Sequence, residues 1–297
     1  MMPTPATPLR QAARRAARDP AVVAGTILLT LLAVVALLAP WLAPNDPQAQ
    51  DLLSTLLPPR WLSGGDARFP LGTDTLGRCT LSRLIFGGRV AIHVAVLAAT
   101  GAMLLGTTLA LVAGYFGGIV DRLVSRCIDV WMSFPPVVLA MILLVGLGAG
   151  VNKVVLAIVL IDWTRFTRVI RSEVLIVRRR DYITAARLAG ASHIQVLWRE
   201  VLPAILPLTI TLLSIEMGIA VIVEAILSFV GLSVEPDVAA WGVLIADARQ
   251  TMHQSPWGIL FPVTAIFVTV LAFNLVGTGL RRSLDARLVT ARVDATA

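Results

Sequence analysis

Long uncharged runs alternate with polar blocks along the chain, and the longer runs could each cross a lipid bilayer as a helix. A span needs about 20 apolar residues, because each residue of a helix rises about 1.5 Å across a hydrocarbon core of about 30 Å. The pattern predicts six spans, at roughly 21–39, 90–113, 126–149, 154–172, 204–230 and 258–280. The fourth is the weakest, since only 154–161 is uninterrupted before Asp162 and Arg165. Pro135 and Pro136 are expected to kink the third.

The polar blocks divide the chain into an N-terminal arm (1–20), a membrane domain (21–285) and a C-terminal tail (286–297). Within the membrane domain, 44–88 and 231–256 are predicted to be outer loops, and 173–203 a polar loop on the other side. Proline, glycine and mixed charges are typical of such connections. A short amphipathic helix is expected near 75–86.

Composition supports a polytopic membrane protein. Of 297 residues, 57% are hydrophobic and only 14% charged, whereas soluble domains carry about 25% charged residues. The shortfall argues against an ordinary soluble enzyme and excludes a disordered or collagen-like chain.

The net charge of +7 is better explained by membrane topology than by nucleic-acid binding. Cytoplasmic loops of membrane proteins carry an excess of basic residues. If both termini are cytoplasmic, 18 basic residues fall inside and seven outside. This bias favours six spans and gives no reason to expect a nucleic-acid partner.

The polar loop 173–203 predicts a helix–turn–helix at the membrane surface. Residues 181–189 favour a short helix, Gly190 ends it, and Ser192 has the spacing of a capping box with Gln195. The second helix, which Pro203 is expected to end, carries one apolar face formed by Ile194, Leu197, Trp198 and Val201. Such an element either docks in a partner's groove or lies on lipid headgroups, and the pattern alone favours neither.

The same loop resembles the EAA loop of bacterial ABC importer permeases, whose pattern is roughly EAA-x3-G-x9-I-x-LP. The matching residues keep the family order: Ala185, Ala186, Gly190, Leu202 and Pro203. Thr184 stands where the family has a glutamate, and Glu200 where it usually has isoleucine. The resemblance implies an ATPase-coupling surface formed by Asp181, Tyr182, Thr184, Ala185, Ala186, Gly190, Ala191, Ile194, Trp198, Leu202 and Pro203.

Four further blocks resemble dipeptide, oligopeptide and nickel permeases. Residues 69–78 are similar to the element HPLGTDxLGRD, with Cys79 in place of its final aspartate. Its family residues are Gly72, Thr73, Asp74, Gly77 and Arg78. The other three blocks are 81–89, 114–135 and 224–242. Five blocks in family order resemble most closely the C-type subunit of the permease pair.

The resemblance implies an all-α integral membrane protein with the six-helix type I ABC importer fold, in the bacterial cytoplasmic (inner) membrane. It implies as partners a second homologous permease subunit, two cytoplasmic ATPase subunits and an extracytoplasmic solute-binding protein, in contact with membrane lipid. ATP and Mg would be bound by the ATPases. Dipeptides, oligopeptides and nickel chelates are all open as substrates.

The chain itself lacks the motifs of an enzyme. A P-loop needs Gly-x4-Gly-Lys-Ser/Thr, and the only lysine, Lys153, stands outside that pattern. The histidines are isolated, without zinc-protease spacing: His93, His193 and His253. We therefore expect no catalytic residue, cofactor or metal site in this chain. An ion-coupled secondary transporter remains the alternative, although such proteins usually show internal repeats and none is evident here.

Four carboxylates fall within predicted spans, where an unpaired charge is costly. Glu216 and Glu224 lie eight residues apart, about 80° around a helix axis, so they either line the translocation pathway or pair with neighbouring helices. We expect Asp162 to pair with Arg165, and Asp129 with Arg126 or Arg165.

The tryptophans are expected to lie at membrane interfaces, where amphipathic rings are enriched. These anchors are Trp41, Trp163, Trp241 and Trp257. Trp198 either enters the ATPase or packs on the membrane domain, and packing is favoured.

Overall fold

The computed structural model describes residues 16–235 and 237–284, and throughout this part of the chain the regular elements are helices. Thr73 and Cys79 form an isolated β-bridge, and no strand forms among the described residues. The helices are α1 (Pro20–Leu37), α2 (Ala39–Leu42), α3 (Thr80–Phe116), α4 (Gly118–Trp131), α5 (Pro136–Leu147), α6 (Val151–Val177), α7 (Asp181–Leu188), α8 (His193–Val196), α9 (Leu202–Phe229), α10 (Trp241–Ala248) and α11 (Trp257–Leu284). A π-helical turn, Leu197–Val201, joins α8 to α9.

Four helical segments are long and apolar enough to cross a membrane: Pro20–Leu37, Thr80–Phe116, His193–Phe229 and Trp257–Ser283. Helices α4 and α5 together would make a fifth. Helix α6 is long enough but carries several charges along its length, including Asp162 and Arg165. Length and composition therefore support four or five of the six predicted spans.

The predicted third span, 126–149, is wrong as a single helix. Helix α4 ends at Trp131 and α5 begins at Pro136, and the two axes differ by 88°. Two consecutive prolines remove two backbone donors, and the residue before a proline avoids the helical region. The double proline therefore breaks the helix rather than kinking it.

The separate helix expected near 75–86 is also absent. The chain is in turns up to Arg78, and the helix that begins at Thr80 continues for 37 residues as α3. Cys79 occupies the N-cap with extended backbone, but its side chain makes no capping hydrogen bond.

Helices α3 and α9 are the centre of the packing, because both contribute side chains to all three buried apolar clusters. Helix α3 also lies against α6. Its buried face is rich in alanine and glycine, which lets neighbouring backbones approach closely. A Cβ on Gly106 would lie 2.6 Å from the Trp163 carbonyl oxygen and 2.5 Å from the Phe166 Cβ. Small residues on α3 thus allow α6 to pack tightly against it.

Candidate functional site

The loop predicted to couple to an ATPase folds as a helix–turn–helix. Helix α7 is followed by Gly190 with φ of +91°, a left-handed conformation that favours glycine. Ser192 Oγ accepts a hydrogen bond from the Gln195 backbone N–H at 3.3 Å, and the Ser192 N–H donates to Gln195 Oε1 at 2.9 Å. The predicted glycine stop and capping box are both confirmed.

The predicted end of the second helix at Pro203 is wrong. The π-helical turn carries the chain from α8 into α9 without a break, and Pro203 lies in the first turn of α9. Proline has no N–H to donate to the preceding turn, and Pro203 stands directly after the wider π-helical turn. The coupling loop is therefore continuous with a long apolar helix.

Only part of the predicted apolar face of this second helix is buried against the protein, and the rest is exposed. Val201 is fully buried, whereas Ile194 is 67% and Trp198 68% exposed. Val196, also buried, precedes Trp198 by two residues, about 200° around the axis. Burial of Val196 therefore turns Trp198 outwards, and the expectation that Trp198 packs on the membrane domain is wrong.

The underside of the loop is fixed to α3 and α6 by an apolar cluster. Its members from the loop and the start of α9 are Ile183, Val196, Val201 and Ile205, and those from the supporting helices are Ala110, Ile170, Val174 and Val177. Each member is less than 9% exposed. The cluster holds both short helices against the membrane domain.

Polar contacts also hold the loop against the last turn of α3. Arg178 Nη1 donates to the carbonyl oxygens of Gly114 at 2.8 Å and Tyr115 at 3.3 Å. A cation at this position also interacts favourably with the negative end of the helix dipole. His193 Nδ1 lies 3.1 Å from Tyr115 Oη and 3.0 Å from Arg187 Nη1.

The opposite side of the loop is an exposed surface with large apolar side chains. Leu188 is 85% exposed and Tyr182 45%, beside Ile194 and Trp198. Leu188 was missed by the sequence reasoning, although it follows Thr184 by four residues and therefore lies on the same helix face. The other predicted coupling residues divide into the exposed Asp181, Thr184, Ala185, Gly190 and Pro203 and the half-buried Ala186, Ala191 and Leu202.

The motif at 69–78 forms a tight structure that places Asp74. Gly77 has φ of +72°, and a Cβ there would lie 1.9 Å from the Asp51 carbonyl oxygen. Gly72 is likewise left-handed. Thr73 Oγ1 donates to the Ser54 carbonyl at 2.5 Å and accepts from the Leu57 N–H at 2.9 Å. These contacts explain why the motif needs glycines and a threonine at these positions.

Four charged side chains meet where this motif contacts α3 and α10; we call them the ion-pair cluster. Asp74 Oδ2 lies 2.7 Å from Arg78 Nε and 2.5 Å from Arg83 Nη1. Asp247 Oδ2 lies 2.9 Å from Arg78 Nη2 and 3.0 Å from Arg83 Nη1. The Arg83 side chain is only 3% exposed. Sequence reasoning identified Asp74 and Arg78, but it missed Arg83 and Asp247.

Helix α10 is also fixed by Trp241, for which the prediction of an interface anchor is wrong. Trp241 is 2% exposed, and its indole N–H donates to the Leu84 carbonyl at 2.9 Å. A Cβ on Gly87 would lie 2.6 Å from the indole ring. The glycine in α3 therefore makes the space that Trp241 fills.

The acids within the helices take different partners from those expected. Arg165 Nη1 lies 3.0 and 3.2 Å from the two oxygens of the fully buried Glu216, so it pairs with Glu216 rather than with Asp162. Asp129 pairs with Arg168, at 3.3 Å, and not with Arg126 or Arg165. Both pairings join residues that are distant in sequence, and spacing could not have indicated them.

Glu224 is 1% exposed and accepts hydrogen bonds from the hydroxyls of Ser228 and Ser233. Both Glu216 and Glu224 thus have partners within the protein. In the part of the chain that the structure describes, no three histidine, cysteine or acidic side chains group together as metal ligands would.

The helical architecture and these motifs define a class of membrane transport component. The chain belongs to the family of binding-protein-dependent transport system inner membrane components, whose model matches residues 106–290. Residues 7–59 match the N-terminal transmembrane domain of oligopeptide transport permease C. The resemblance to importer permeases is confirmed.

Similar proteins carry the match over nearly the full chain. A di/tripeptide transport system permease protein of Pseudomonas aeruginosa is 36% identical over 285 residues, 96% of this chain and 94% of the relative. A nickel transport system permease protein of Escherichia coli is 39% identical over 264 residues, 89% of this chain and 93% of the relative. A glutathione transport system permease protein of Pectobacterium atrosepticum is 36% identical over 282 residues, 95% and 92% of the two chains.

Proposed function

We propose that this chain is the C-type permease subunit of an ATP-driven importer, and that it forms half of the translocation pathway for short peptides. The exposed apolar surface of the coupling loop is the observation that carries the proposal. Its underside is fixed to α3 and α6, while Leu188, Ile194 and Trp198 point away from the protein. Large apolar side chains that are exposed on a firmly held segment are typical of an interaction surface.

The partner at this surface is a cytoplasmic ATPase subunit, one for each permease subunit of the pair. ATP and Mg are bound by the two ATPases, and this chain contributes movement rather than catalysis. An extracytoplasmic solute-binding protein delivers the substrate from the other side. Movement of α7 and α8 passes directly into α9, because the π-helical turn makes the loop and that helix continuous.

The topology that fits these roles has six spans with both termini in the cytoplasm. In this topology α6 is one of the six spans, although its charged residues prevent its identification from composition alone. The broken pair α4 and α5 together forms another span. The division into an arm (1–20), a membrane domain (21–285) and a tail (286–297) belongs to the same proposal. The distribution of 18 basic residues inside and seven outside supports this orientation.

The substrate class is proposed from the relatives, two of which transport di/tripeptides or glutathione by name. A nickel chelate is the second candidate, because another relative is named for nickel transport. Glu216 and Glu224 are given a packing role rather than a pathway-lining one, since each is buried with a partner.

The coupling role is tested by Trp198→Ala in the complex reconstituted from both permeases, the ATPases and the binding protein. We expect normal assembly of the permease pair but a loss of at least tenfold in ATP hydrolysis stimulated by the loaded binding protein. Leu53→Ala is the matched control, because Leu53 is 98% exposed in the loop before α3. Unchanged stimulation in the Trp198 variant would reject the docking role, and peptide uptake without ATP would favour a secondary transporter.

A further inference from the structure

The end of α3 is a sharp, glycine-rich turn that meets the coupling loop. Its sequence is GYFGG, residues 114–118, and we call it the α3 seat. Gly117 and Gly118 have φ of +69° and +63°, left-handed conformations that favour glycine. A Cβ on Gly114 would lie 2.8 Å from Val174 Cγ1 of α6. The glycines therefore end α3 abruptly and keep its last turn close to α6.

Arg178, which directly follows α6, binds the α3 seat through its guanidinium. Its Nη1 donates to the carbonyl oxygens of both Gly114 and Tyr115. These carbonyls belong to the last four residues of α3, which have no acceptor role within the helix. A Cβ on Gly117 would lie 3.2 Å from this nitrogen, so the glycine leaves room for the guanidinium. Because hydrogen bonds from a charged donor are stronger than neutral ones, Arg178 ties the entry of α7 firmly to α3.

The two short helices of the coupling loop also meet at the α3 seat. Nδ1 of His193 in α8 lies 3.0 Å from Arg187 Nη1 of α7 and 3.1 Å from Tyr115 Oη of the seat. A guanidinium can only donate, so this nitrogen accepts. The His193 and Tyr115 rings also pack edge to face, with centroids 5.6 Å apart. The seat therefore contacts α8 directly and α7 through the same nitrogen.

Helix α3 extends from the seat to the ion-pair cluster without a proline. Its 37 residues span about 55 Å at about 1.5 Å per residue. Arg83 in its first turn binds Asp247 of α10, and the next carbonyl, that of Leu84, accepts from the Trp241 indole of the same helix. Helix α9, which is continuous with the loop, contains Pro207. Since helices commonly bend at proline, α3 is the stiffer of the two connections.

We propose that α3 carries movement of the ATPases from the coupling loop to α10, and that Arg178 is the positioning residue that makes α3 follow the loop. The inference rests on the proposed function, which places the loop in the cytoplasm and the ion-pair cluster outside. The π-helical turn passes loop movement to α9, and the seat adds a second, rigid route of the kind that couples distant sites. Without the seat, the loop moves with α9 while α3 and α10 stay behind, and ATP is hydrolysed without import.

The first measurement is the number of ATP molecules hydrolysed per Ala-Ala imported by the complete system in proteoliposomes. Arg178→Met removes the guanidinium, and we expect this ratio to rise about tenfold, as loss of a charged hydrogen bond predicts. Arg178→Lys keeps a charged donor, so its ratio is expected to lie between those of the Met variant and the wild type. Arg122→Met is the matched control, because Arg122 is exposed on α4, and the wild-type ratio is expected. A merely structural role would lower hydrolysis and import in proportion, and an unchanged ratio in the Arg178 variant would overturn the proposal.

Tyr115→Phe gives a second variant, in case Arg178→Met does not assemble. It removes only the hydroxyl that meets His193, and we expect the ratio to rise about threefold, as loss of a neutral hydrogen bond predicts. A wild-type ratio in Tyr115→Phe would count against the seat.

The second measurement follows the outer end of α3. Leu76 is 37% exposed and lies within the motif that holds Asp74 and Arg78. With both native cysteines replaced by serine, Leu76→Cys is labelled by a membrane-impermeant maleimide with and without ATP and vanadate, which trap the ATPases. We expect trapping to change the labelling rate, and Arg178→Met to abolish that change. An equal change with and without Arg178→Met, or no change in either, overturns the proposal.

Failure of this inference and failure of the proposed function are distinguishable. If Trp198→Ala abolishes stimulated ATP hydrolysis but Arg178→Met leaves both measurements unchanged, this inference alone is wrong. If neither substitution has an effect, the proposed coupling role fails. If the complete system imports no Ala-Ala, the proposed substrate class fails, and labelling of Leu76→Cys still decides whether α3 follows the ATPases.

Discussion

At the scale of single residues, buried charge is the feature that most constrains this protein. Arg83 is almost fully buried, and it is held by Asp74 from the preceding loop and Asp247 from α10. Removing one partner of a buried ion pair leaves the others without compensation, which costs about 3–5 kcal/mol. The ion-pair cluster therefore joins the motif at 69–78 and the start of α3 to α10, which is distant in sequence.

Arg83→Met is expected to lower the free energy of unfolding by about 3–5 kcal/mol, because Arg78 alone would then face two carboxylates. Thermal unfolding of the purified protein in detergent measures the change. Arg68→Met is the control, since Arg68 forms an exposed pair with Asp66 whose loss is expected to leave the melting temperature unchanged. Equal melting temperatures for wild type and the Arg83 variant would contradict this account.

A substitution at Cys79 is expected to increase the stability of the protein. It has the extended backbone of an N-cap but no capping hydrogen bond, and serine at such a position accepts from the first-turn N–H groups. Cys79→Ser is expected to stabilise the protein by about 0.5–1 kcal/mol. The exposed Cys127→Ser serves as control. A lower melting temperature for the Cys79 variant alone would show that packing of the sulfur matters more than the cap.

At the scale of elements, glycines decide how closely helices approach. Helix α10 crosses the end of α9 at Gly242, where a Cβ would lie 2.1 Å from the Ala225 carbonyl oxygen. Trp241, the neighbouring residue, fills the space beside Gly87 of α3. The position of α10, and with it that of Asp247, depends on this contact.

Gly242→Ala is expected to destabilise the protein by about 1–3 kcal/mol, because the added methyl group must displace α10 or α9. Gly146→Ala is the matched control, since no atom lies within 4 Å of its Cβ position and alanine favours a helix. Thermal unfolding of both variants tests the contact. If the two variants melt at the same temperature, α10 does not depend on Gly242.

At the scale of the whole molecule, orientation in the membrane decides which surface meets which partner. The proposed topology places the coupling loop in the cytoplasm and the ion-pair cluster outside. In a background with both native cysteines replaced by serine, we expect Leu53→Cys to be labelled by a membrane-impermeant thiol reagent in intact cells. Arg180→Cys is expected to react only after permeabilisation. Labelling of both variants in intact cells would reject six spans with an inside coupling loop.

Local patterns in the sequence predicted the features that depend on neighbours along the chain. The helix–turn–helix, the glycine stop at Gly190 and the Ser192 capping box follow from local backbone preferences, and the structure confirms them. The separate helix near 75–86 and the single span at 126–149 were wrong. In both cases the pattern identified an apolar segment, but it did not show where a helix begins or breaks. The structure places the helix start at Thr80 and the break at the double proline.

The sequence by itself determined that this is a membrane protein of the importer permease family, because apolar runs and short motifs are recognisable from neighbouring residues alone. Only the tertiary structure decided the partners of the charged groups and the faces of the helices. Arg165 could pair with Asp162 or Glu216, and packing of α6 against α9 selected Glu216. Trp198 was expected to pack on the membrane domain and Trp241 to lie at a membrane interface, yet the structure exposes the first and buries the second. Such choices depend on contacts between segments that are distant in sequence, and hydrophobic periodicity along the chain carries no information about those contacts.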